Sequence, residues 1–167
     1  DKLIAAMFAA KDDEVSLITH NGQAIRFKEA DVRQMGRTAA GVSGMKLKGD
    51  DKIVSADVLS KGDKDREILV VTECGFGKTT SAKEYKIQNR GGSGIKTAKV
   101  TTKTGKVVGA FAVTAEDKKE GELVVMSKNG QVIKLPLKDV PKLGRDTQGV
   151  KVMRMKAGDS IATIVYF

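Results

Sequence analysis

Arginine and glycine stand together at three places in this chain, in a combination suited to contacts with phosphate groups. The blocks read G-R-T-A-A-G-V from Gly36, N-R-G-G-S-G-I from Asn89 and G-R-D-T-Q-G-V from Gly144. A guanidinium can donate two parallel hydrogen bonds to a phosphate, while neighbouring glycines let the backbone approach closely and offer its N–H groups. Contacts of this kind hold a nucleic-acid backbone without reading its bases.

The three blocks belong to one repeated unit. Their arginines, Arg37, Arg90 and Arg145, are 53 and 55 residues apart, and the glycine four residues after each arginine keeps the same spacing. A turn glycine, Gly22 in the first repeat, precedes every block at this pitch. Repeats of about this length are typical of solenoids, propellers and arrays, in which each unit buries its apolar face against its neighbours.

Each repeat has the residue pattern of β-strands. In the first repeat, residues 15–18 and 24–27 flank an Asn-Gly pair, which tolerates the positive φ angles of a tight hairpin turn. In the second repeat, two further strands are predicted after the block, at residues 95–102 and 106–113. Continuous helical periodicity is absent, apart from the suggestion of a turn at residues 30–35. We therefore predict an all-β, propeller-like fold built of four-stranded repeats, with about three blades.

The parallels between repeats also predict their boundaries. The opening Asp1-Lys2-Leu3-Ile4 resembles Asp51-Lys52-Ile53-Val54, which ends the first repeat, so we expect residues 1–12 to be the last strand of a preceding repeat. The first blade then covers residues 13–63, the second residues 64–120 and the third residues 121–167, all within one domain.

Positive charge is concentrated in the second and third repeats. The net charge is +9, and basic and acidic side chains number 8 and 8 in residues 13–63, 12 and 7 in residues 64–120, and 8 and 4 in residues 121–167. In the densest window, residues 78–106, eight basic side chains face only Glu84. Because basic residues alternate with apolar ones and recur at equivalent positions, we expect a curved track of positive charge across successive blades. A track suits a long polyanion better than a small molecule.

We predict a DNA-binding surface made of the block residues and the basic residues that follow them. Its members are, in the second repeat, Arg90, Gly91, Gly92, Lys96, Lys99, Lys103 and Lys106; in the third, Arg145, Lys151, Arg154 and Lys156; and in the first, Arg37, Lys46 and Lys48.

The second block carries a family resemblance. Residues 88–94 read Q-N-R-G-G-S-G and resemble the gyrase box, Q-R-R-G-G-K-G, from which they depart at Asn89 and Ser93. With the repeated blocks and their pitch, essentially the whole chain is similar to the C-terminal domain of DNA gyrase A. The related C-terminal domain of topoisomerase IV, which lacks an intact box, is the alternative, and the Arg-Gly-Gly core favours gyrase.

This resemblance implies both a fold and a role. The fold is a β-pinwheel, a propeller-like disc whose neighbouring blades exchange strands and whose basic rim wraps double-stranded DNA. The role is that of a non-catalytic segment of a bacterial, ATP-hydrolysing type II topoisomerase that introduces negative supercoils. The implied partners are DNA, the rest of gyrase A as a dimer and gyrase B, which carries the ATPase, with no membrane.

The residues do not predict a catalytic site, a metal site or a cofactor in this segment. His20 is the only histidine, and Cys74 is the only cysteine, which excludes an internal disulfide and fits a reducing cytoplasm. The G-K-T sequence at residues 77–79 lacks the earlier glycine that a P-loop needs. Tyr85 and Tyr166 are expected to be packing residues.

A second class of function is also compatible with the sequence, namely a propeller-like protein-interaction module that meets an acidic partner. Positive charge on the outer rim would favour DNA, whereas charge on the flat faces or in a central channel would favour an acidic protein. The longest wholly apolar run, residues 3–10, is far shorter than the roughly 20 residues that span a bilayer, so we expect a cytoplasmic protein.

Overall fold

The structure is a computed structural model that describes residues 2–61 and 65–167. The predicted boundary between the first and second repeats, at residues 63 and 64, lies outside the described residues. The strands, in chain order, are β1 (Glu14–Thr19), β2 (Gln23–Lys28), β3 (Ile53–Leu59), β4 (Glu67–Thr72), β5 (Phe76–Ser81), β6 (Ile95–Lys96), β7 (Val107–Val113), β8 (Glu122–Ser127), β9 (Val132–Pro136), β10 (Val150–Lys151) and β11 (Ile161–Tyr166). One α-helix, α1 (Ala115–Glu120), and three short 3-10 turns at Glu29–Asp31, Ala82–Glu84 and Leu137–Asp139 complete the described elements.

The strands form three antiparallel sheets in which neighbouring repeats exchange strands. The orders are β3-β1-β2-β6, β10-β5-β4-β7 and β11-β8-β9. Each of the first two sheets therefore takes its fourth strand from the next repeat: β6 pairs with β2, and β10 pairs with β5. The predicted all-β fold is confirmed, and the exchange explains how a hairpin and one long strand become a four-stranded blade.

One strand of each sheet lies on the inner side of the arrangement, where the blades meet. β3 packs against β7, and β7 packs against β11. The Ser55 hydroxyl donates to the Ala110 carbonyl, and the Ala112 N–H donates to the Asp57 carboxylate at 2.6 Å. Burial of this carboxylate raises its pKa. The exchanged strands β6 and β10 stand at the opposite ends of their sheets, so they form the outer edge of the blades.

The interior is mainly aliphatic, as the scarcity of aromatic residues suggests. Ile18, Leu59 and Ile68 belong to one buried cluster shared by the first two sheets. Leu69 and Leu123 belong to a second cluster shared by the second and third sheets. Each blade thus buries its apolar side chains against its neighbour, as expected for a repeat protein.

The hairpin glycines serve the contact between repeats as well as the turn. Gly22 has a φ of +76° and Gly75 a φ of +82°. The carbonyl of Gly22 accepts the N–H of Thr97 at 2.8 Å, and the carbonyl of Gly75 accepts the N–H of Val152 at 2.8 Å. A Cβ at either glycine would meet a backbone oxygen of the next repeat, at 2.8 Å and 2.2 Å respectively. The turn residue must be glycine because the next repeat packs directly on it.

The prediction of a strand at residues 95–102 is wrong for most of these residues. Only Ile95–Lys96 pairs as a strand, because the N–H groups of the next two residues turn toward the Gly22 carbonyl. A turn then follows, in which the Thr104 hydroxyl donates to the Lys99 carbonyl and the Gly105 N–H donates to the Thr101 carbonyl.

The helix α1 was not expected from the sequence. The helix begins at a local pair of residues, Thr114 and Asp117. The Thr114 hydroxyl accepts the Asp117 N–H, and the Asp117 carboxylate accepts the Thr114 N–H. This capping box fixes the start of a helix that joins the second blade to the third.

The N-terminal residues 2–10 are exposed and belong to no strand. A last strand of a preceding repeat would take its hydrogen-bond partners from that repeat, which the described residues do not include, so the assignment of residues 1–12 stays a prediction. None of the helices in the described part of the chain has the length and apolar character that a membrane span requires.

The exchange of strands predicts unequal costs for two equivalent glycines. Gly41 and Gly94 both have positive φ, +85° and +73°. A Cβ on Gly94 would lie 2.5 Å from the Ala24 carbonyl oxygen, whereas a Cβ on Gly41 would meet nothing within 4 Å. Gly41→Ala should lower the free energy of unfolding by about 1–2 kcal/mol for the backbone strain alone. Gly94→Ala should cost about 2 kcal/mol more for the overlap. Urea unfolding compares the two, and equal losses would contradict the close approach.

Candidate nucleic-acid interface

The arginines of the second and third blocks join consecutive repeats. The Arg90 guanidinium donates to the carbonyls of Asp31, at 2.9 Å, and Ser43. The Arg145 guanidinium donates to the carbonyl of Lys96. Ser43 and Lys96 are equivalent positions, six residues after the arginine of their own repeat. Each arginine therefore connects its loop to the loop of the preceding repeat. The contact between the first and second repeats, through Arg90, is the first junction, and the contact between the second and third repeats, through Arg145, is the second junction.

The glycines beside Arg90 take part in the same junction. The N–H of Gly91 donates to the Gly44 carbonyl at 2.9 Å, and the N–H of Gly92 donates to the Asn89 carbonyl at 3.3 Å. The Gly92 carbonyl in turn accepts the N–H of Lys46 at 2.9 Å. The sequence predicted that these amides would face phosphate. In the structure both have protein acceptors, because the close approach that glycine permits is used between the two loops.

One exposed cation recurs at the same position in every repeat, nine residues after the block arginine. Lys46, Lys99 and Arg154 occupy equivalent positions, and all three are exposed. The N–H of Lys99 donates to the Thr147 carbonyl at 3.0 Å, as the N–H of Lys46 does to the next repeat. The backbone of these two lysines is thus held by the adjacent loop, while the side chains extend into solvent.

Most of the other predicted site residues are exposed, and some of them lie on or beside the outer edge. The exposed members are Arg37, Lys48, Lys96, Lys103, Lys151 and Lys156. Lys96 belongs to β6 and Lys151 to β10, the outermost strands of the first two sheets. Lys46 and Lys48 also border a cavity of about 260 Å³ between the first hairpin turn and Gly94. The structure therefore places Lys96 and Lys151 on the outer edge of the blades, and Lys46 and Lys48 beside the contact between the first two repeats.

Ion pairs divide the cations into two groups. Lys106, the member nearest the inner strand β7, lies 3.7 Å from an Asp50 carboxylate oxygen, and Lys96 lies 3.9 Å from one of Asp146. The remaining exposed members form no ion pair with a carboxylate of residues 2–61 or 65–167; they are Arg37, Lys46, Lys48, Lys99, Lys103, Lys151, Arg154 and Lys156. Their charge is available to an external anion.

The family described as DNA gyrase C-terminal domain, beta-propeller, matches the chain at residues 13–60, 66–114 and 121–166. The chain belongs to this family. The resemblance inferred from the Arg/Gly blocks is confirmed, and so is the propeller-like β-pinwheel class of fold.

Individual members of the gyrase C-terminal domain family are similar over nearly the whole chain. DNA gyrase A of Staphylococcus epidermidis is 40% identical over 164 residues, covering 98% of this chain and 18% of that protein. The chain thus spans less than a fifth of the length of this relative. The solved structure of the DNA gyrase A C-terminal domain has a TM-score of 0.82 and 30% identity, covering 95% of this chain and 52% of that one.

The topoisomerase IV alternative is not better supported. The crystal structure of the C-terminal domain of DNA topoisomerase IV also has a TM-score of 0.82, covering 92% of this chain and 46% of that one. Its identity of 24% shows a shared fold alone. The DNA gyrase A relatives are more similar in sequence, which agrees with the gyrase family.

Tyr85, Tyr166 and the G-K-T residues lie in packed parts of the fold. Tyr85 is buried, and its hydroxyl lies 2.6 Å from that of Thr97. Desolvation raises the pKa of this phenol. The ring of Tyr166 packs on Phe111, with centroids 5.1 Å apart. The G-K-T residues lie within strand β5. In the part of the chain that the structure describes, no three His, Cys, Asp or Glu side chains are grouped to hold a metal ion.

Lys78 is a buried cation that sequence reasoning counted with the surface charge. It is only 2% exposed, and its ammonium donates to the Gly144 carbonyl at 2.7 Å and the Thr147 hydroxyl at 3.1 Å. Ile25 and Ile133 occupy the equivalent places in the other repeats, three residues after the turn glycine. That comparison is the signal that could have placed Lys78 inside. Desolvation lowers its pKa to about 8.

The junction arginines should matter for stability in proportion to their protein contacts. We expect Arg90→Ala and Arg145→Ala each to lower the free energy of unfolding by about 1–3 kcal/mol, because charged hydrogen bonds between repeats are lost. Arg37, which has no side-chain partner among the described residues, is the matched control, and Arg37→Ala should change it by less than about 0.5 kcal/mol. Urea unfolding measures all three. A loss for Arg37→Ala as large as the others would contradict the junction role.

Lys78 should make stability depend on pH in the alkaline range. Because its folded pKa of about 8 is below the unfolded value, the folded chain releases a proton there that the unfolded chain retains. The free energy of unfolding should rise between about pH 8 and 10, by up to about 1.4 kcal/mol per pH unit. Lys78→Met removes this contribution, so the difference between wild type and variant should change with pH. Parallel stability curves would show that Lys78 does not titrate in this range.

Proposed function

We propose that this chain binds double-stranded DNA along the outer edge of its blades and bends it, without reading its sequence. The observation that carries the proposal is the set of exposed cations that form no ion pair with the described residues, with Lys46, Lys99 and Arg154 recurring once per repeat. Lysine and arginine contacts to phosphates release counterions and supply most of the affinity of sequence-independent binding.

The inner strands support the outer edge as the binding surface. β7 and β11 carry no charged residue, and β3 carries only Asp57. An acidic protein held in the centre would therefore meet no positive side chain on these strands. The succession of cations along the outer edge matches a long polyanion instead.

The energy needed for bending is within reach of such a surface. Smoothly bending a 20–30 bp site by 40–90° costs on the order of 1–6 kcal/mol. Hydrogen bonds to charged groups contribute about 1.5–3 kcal/mol each, so a few phosphate contacts can offset the bend. Arg90, Arg145, Gly91 and Gly92 would act indirectly, by fixing the distance between successive cations.

The family gives this activity its setting. The relatives are DNA gyrase A proteins, and we infer that the chain serves as the non-catalytic DNA-wrapping segment of such an enzyme, an ATP-dependent type II topoisomerase. In that setting its partners would be DNA, the rest of a dimeric gyrase A and gyrase B with its ATPase, in the cytoplasm.

Binding to a linear duplex of about 40 bp across a salt series tests the proposal. The variant replaces Lys46, Lys99 and Arg154 with Gln, and the control replaces three other exposed lysines that do not occupy this repeated position, Lys11, Lys119 and Lys138. If Lys46, Lys99 and Arg154 contact three phosphates, the negative slope of log K against log salt should become shallower by about 2.7 in the variant. The control carries the same net charge and should keep the wild-type slope.

Fluorescence transfer between the duplex ends reports bending in the same samples. Shorter end-to-end distances on binding support the wrapping role, whereas unchanged distances would leave binding without bending. No binding by wild type at low salt, or equal losses in variant and control, would overturn the proposal that the outer edge binds DNA.

A further inference from the structure

Phe76 brings two lysines of different repeats to one place on the outer edge. It is the first residue of β5 and is only 4% exposed. The ammonium of Lys103, in the second repeat, lies 5.7 Å from the centroid of its ring, and that of Lys151, in the third, lies 5.9 Å from it. An aromatic face at this distance attracts an ammonium and restricts where it can move.

Lys151 reaches the ring through strand exchange. It lies directly opposite Phe76 in the pairing of β10 with β5. Side chains in such opposite positions are close neighbours on one face of a sheet. The register between repeats, and not a flexible loop, therefore sets the position of this lysine.

Lys103 is held by a rigid turn. Its neighbour Thr104 is fully buried, and the Thr104 hydroxyl accepts the N–H of Thr101 at 2.9 Å. The Thr104 carbonyl accepts the N–H of Cys74, in the hairpin turn that precedes Phe76, at 3.0 Å. The turn that carries Lys103 is thereby fastened to the hairpin that carries the ring.

Both ammonium groups lie within 6 Å of the centroid of one ring, and neither has a counter-charge among the described residues. No carboxylate of the described residues forms an ion pair with either of them. The equivalent place at the first junction is different, because Gln23 stands where Phe76 does and pairs with Lys96, whose ammonium lies 3.9 Å from an Asp146 carboxylate oxygen. Asp50 takes the place of Lys103 there. The second junction alone among those described thus collects two unpaired cations at one ring.

We propose that Lys103 and Lys151 together bind one phosphodiester group of duplex DNA, and that Phe76 is the residue that positions them. The inference rests on the proposed DNA-binding function and adds a defined site to it. A phosphate between the two ammonium groups accepts hydrogen bonds from both and removes their mutual repulsion. The ring keeps the lysine side chains ordered beforehand, which lowers the entropy lost on binding.

The salt dependence of DNA binding tests whether the phosphate is shared. Wild type, Lys103→Gln, Lys151→Gln and the double variant are compared on the same duplex. If the two lysines share one phosphate, the negative slope of log K against log salt should become shallower by about 0.9 in the double variant. A slope shallower by about 1.8 would mean that the lysines contact two separate phosphates, and an unchanged slope would mean that they contact none. Either result overturns the inference.

The role of Phe76 is tested by its dependence on the lysines. We expect Phe76→Leu to weaken DNA binding about threefold through loss of the cation–π contacts, and Phe76→Tyr to retain wild-type affinity. In the Lys103→Gln, Lys151→Gln background, Phe76→Leu should have no further effect on binding. A purely structural effect of Phe76→Leu would persist in that background and would overturn the positioning role.

Lys96→Gln provides a matched control at the equivalent position of β6. Because Lys96 faces Gln23 and Asp146, its loss should not couple to a change at Phe76. Failure of wild type itself to bind duplex DNA would instead reject the proposed function, which keeps the two results distinguishable.

Discussion

The exchange of one outer strand between neighbouring repeats is the constraint on which the rest of this structure depends. β2 and β5 would otherwise present unpaired edges, and the two-residue strands β6 and β10 satisfy them. Such short strands add few hydrogen bonds, so the junction is completed by the turn glycines Gly22 and Gly75, whose carbonyls accept N–H groups of the next repeat. The distance between successive blades is therefore set by backbone contacts.

Arginine and lysine have different roles at the outer edge, and the difference follows from their chemistry. The planar guanidinium has several donors in fixed directions, and Arg90 uses two of them on carbonyls of the preceding repeat. Lysine has a flexible stem and a compact, strongly hydrated charge, and Lys46 and Lys99 extend from the junction into solvent. The Arg/Gly block thus spaces the cations, and the residues after it present them to an anion.

Much of the fold could be predicted from the sequence because its signals are local and repeated. The pitch of Arg37, Arg90 and Arg145 reveals the repeats, and the Asn-Gly hairpin matches the observed pairing of β1 with β2. The partners of Arg90 could not be predicted, because they are backbone carbonyls some 50 residues earlier that strand exchange brings close. The alternating pattern at residues 95–102 was misleading for the same reason, since distant acceptors override the local strand preference.

Differences among the repeats have physical consequences of their own. At the first junction Lys106 lies beside Asp50 and Lys96 beside Asp146, so part of the positive charge is already compensated. At the second junction Lys103 and Lys151 share the Phe76 ring, and no described carboxylate compensates them. The buried Lys78 ammonium holds the third loop against the second blade, where the first blade uses the apolar Ile25. Equivalent backbone positions therefore carry unequal electrostatic potential, and a polyanion lying along the outer edge would be held more strongly at the second junction than at the first.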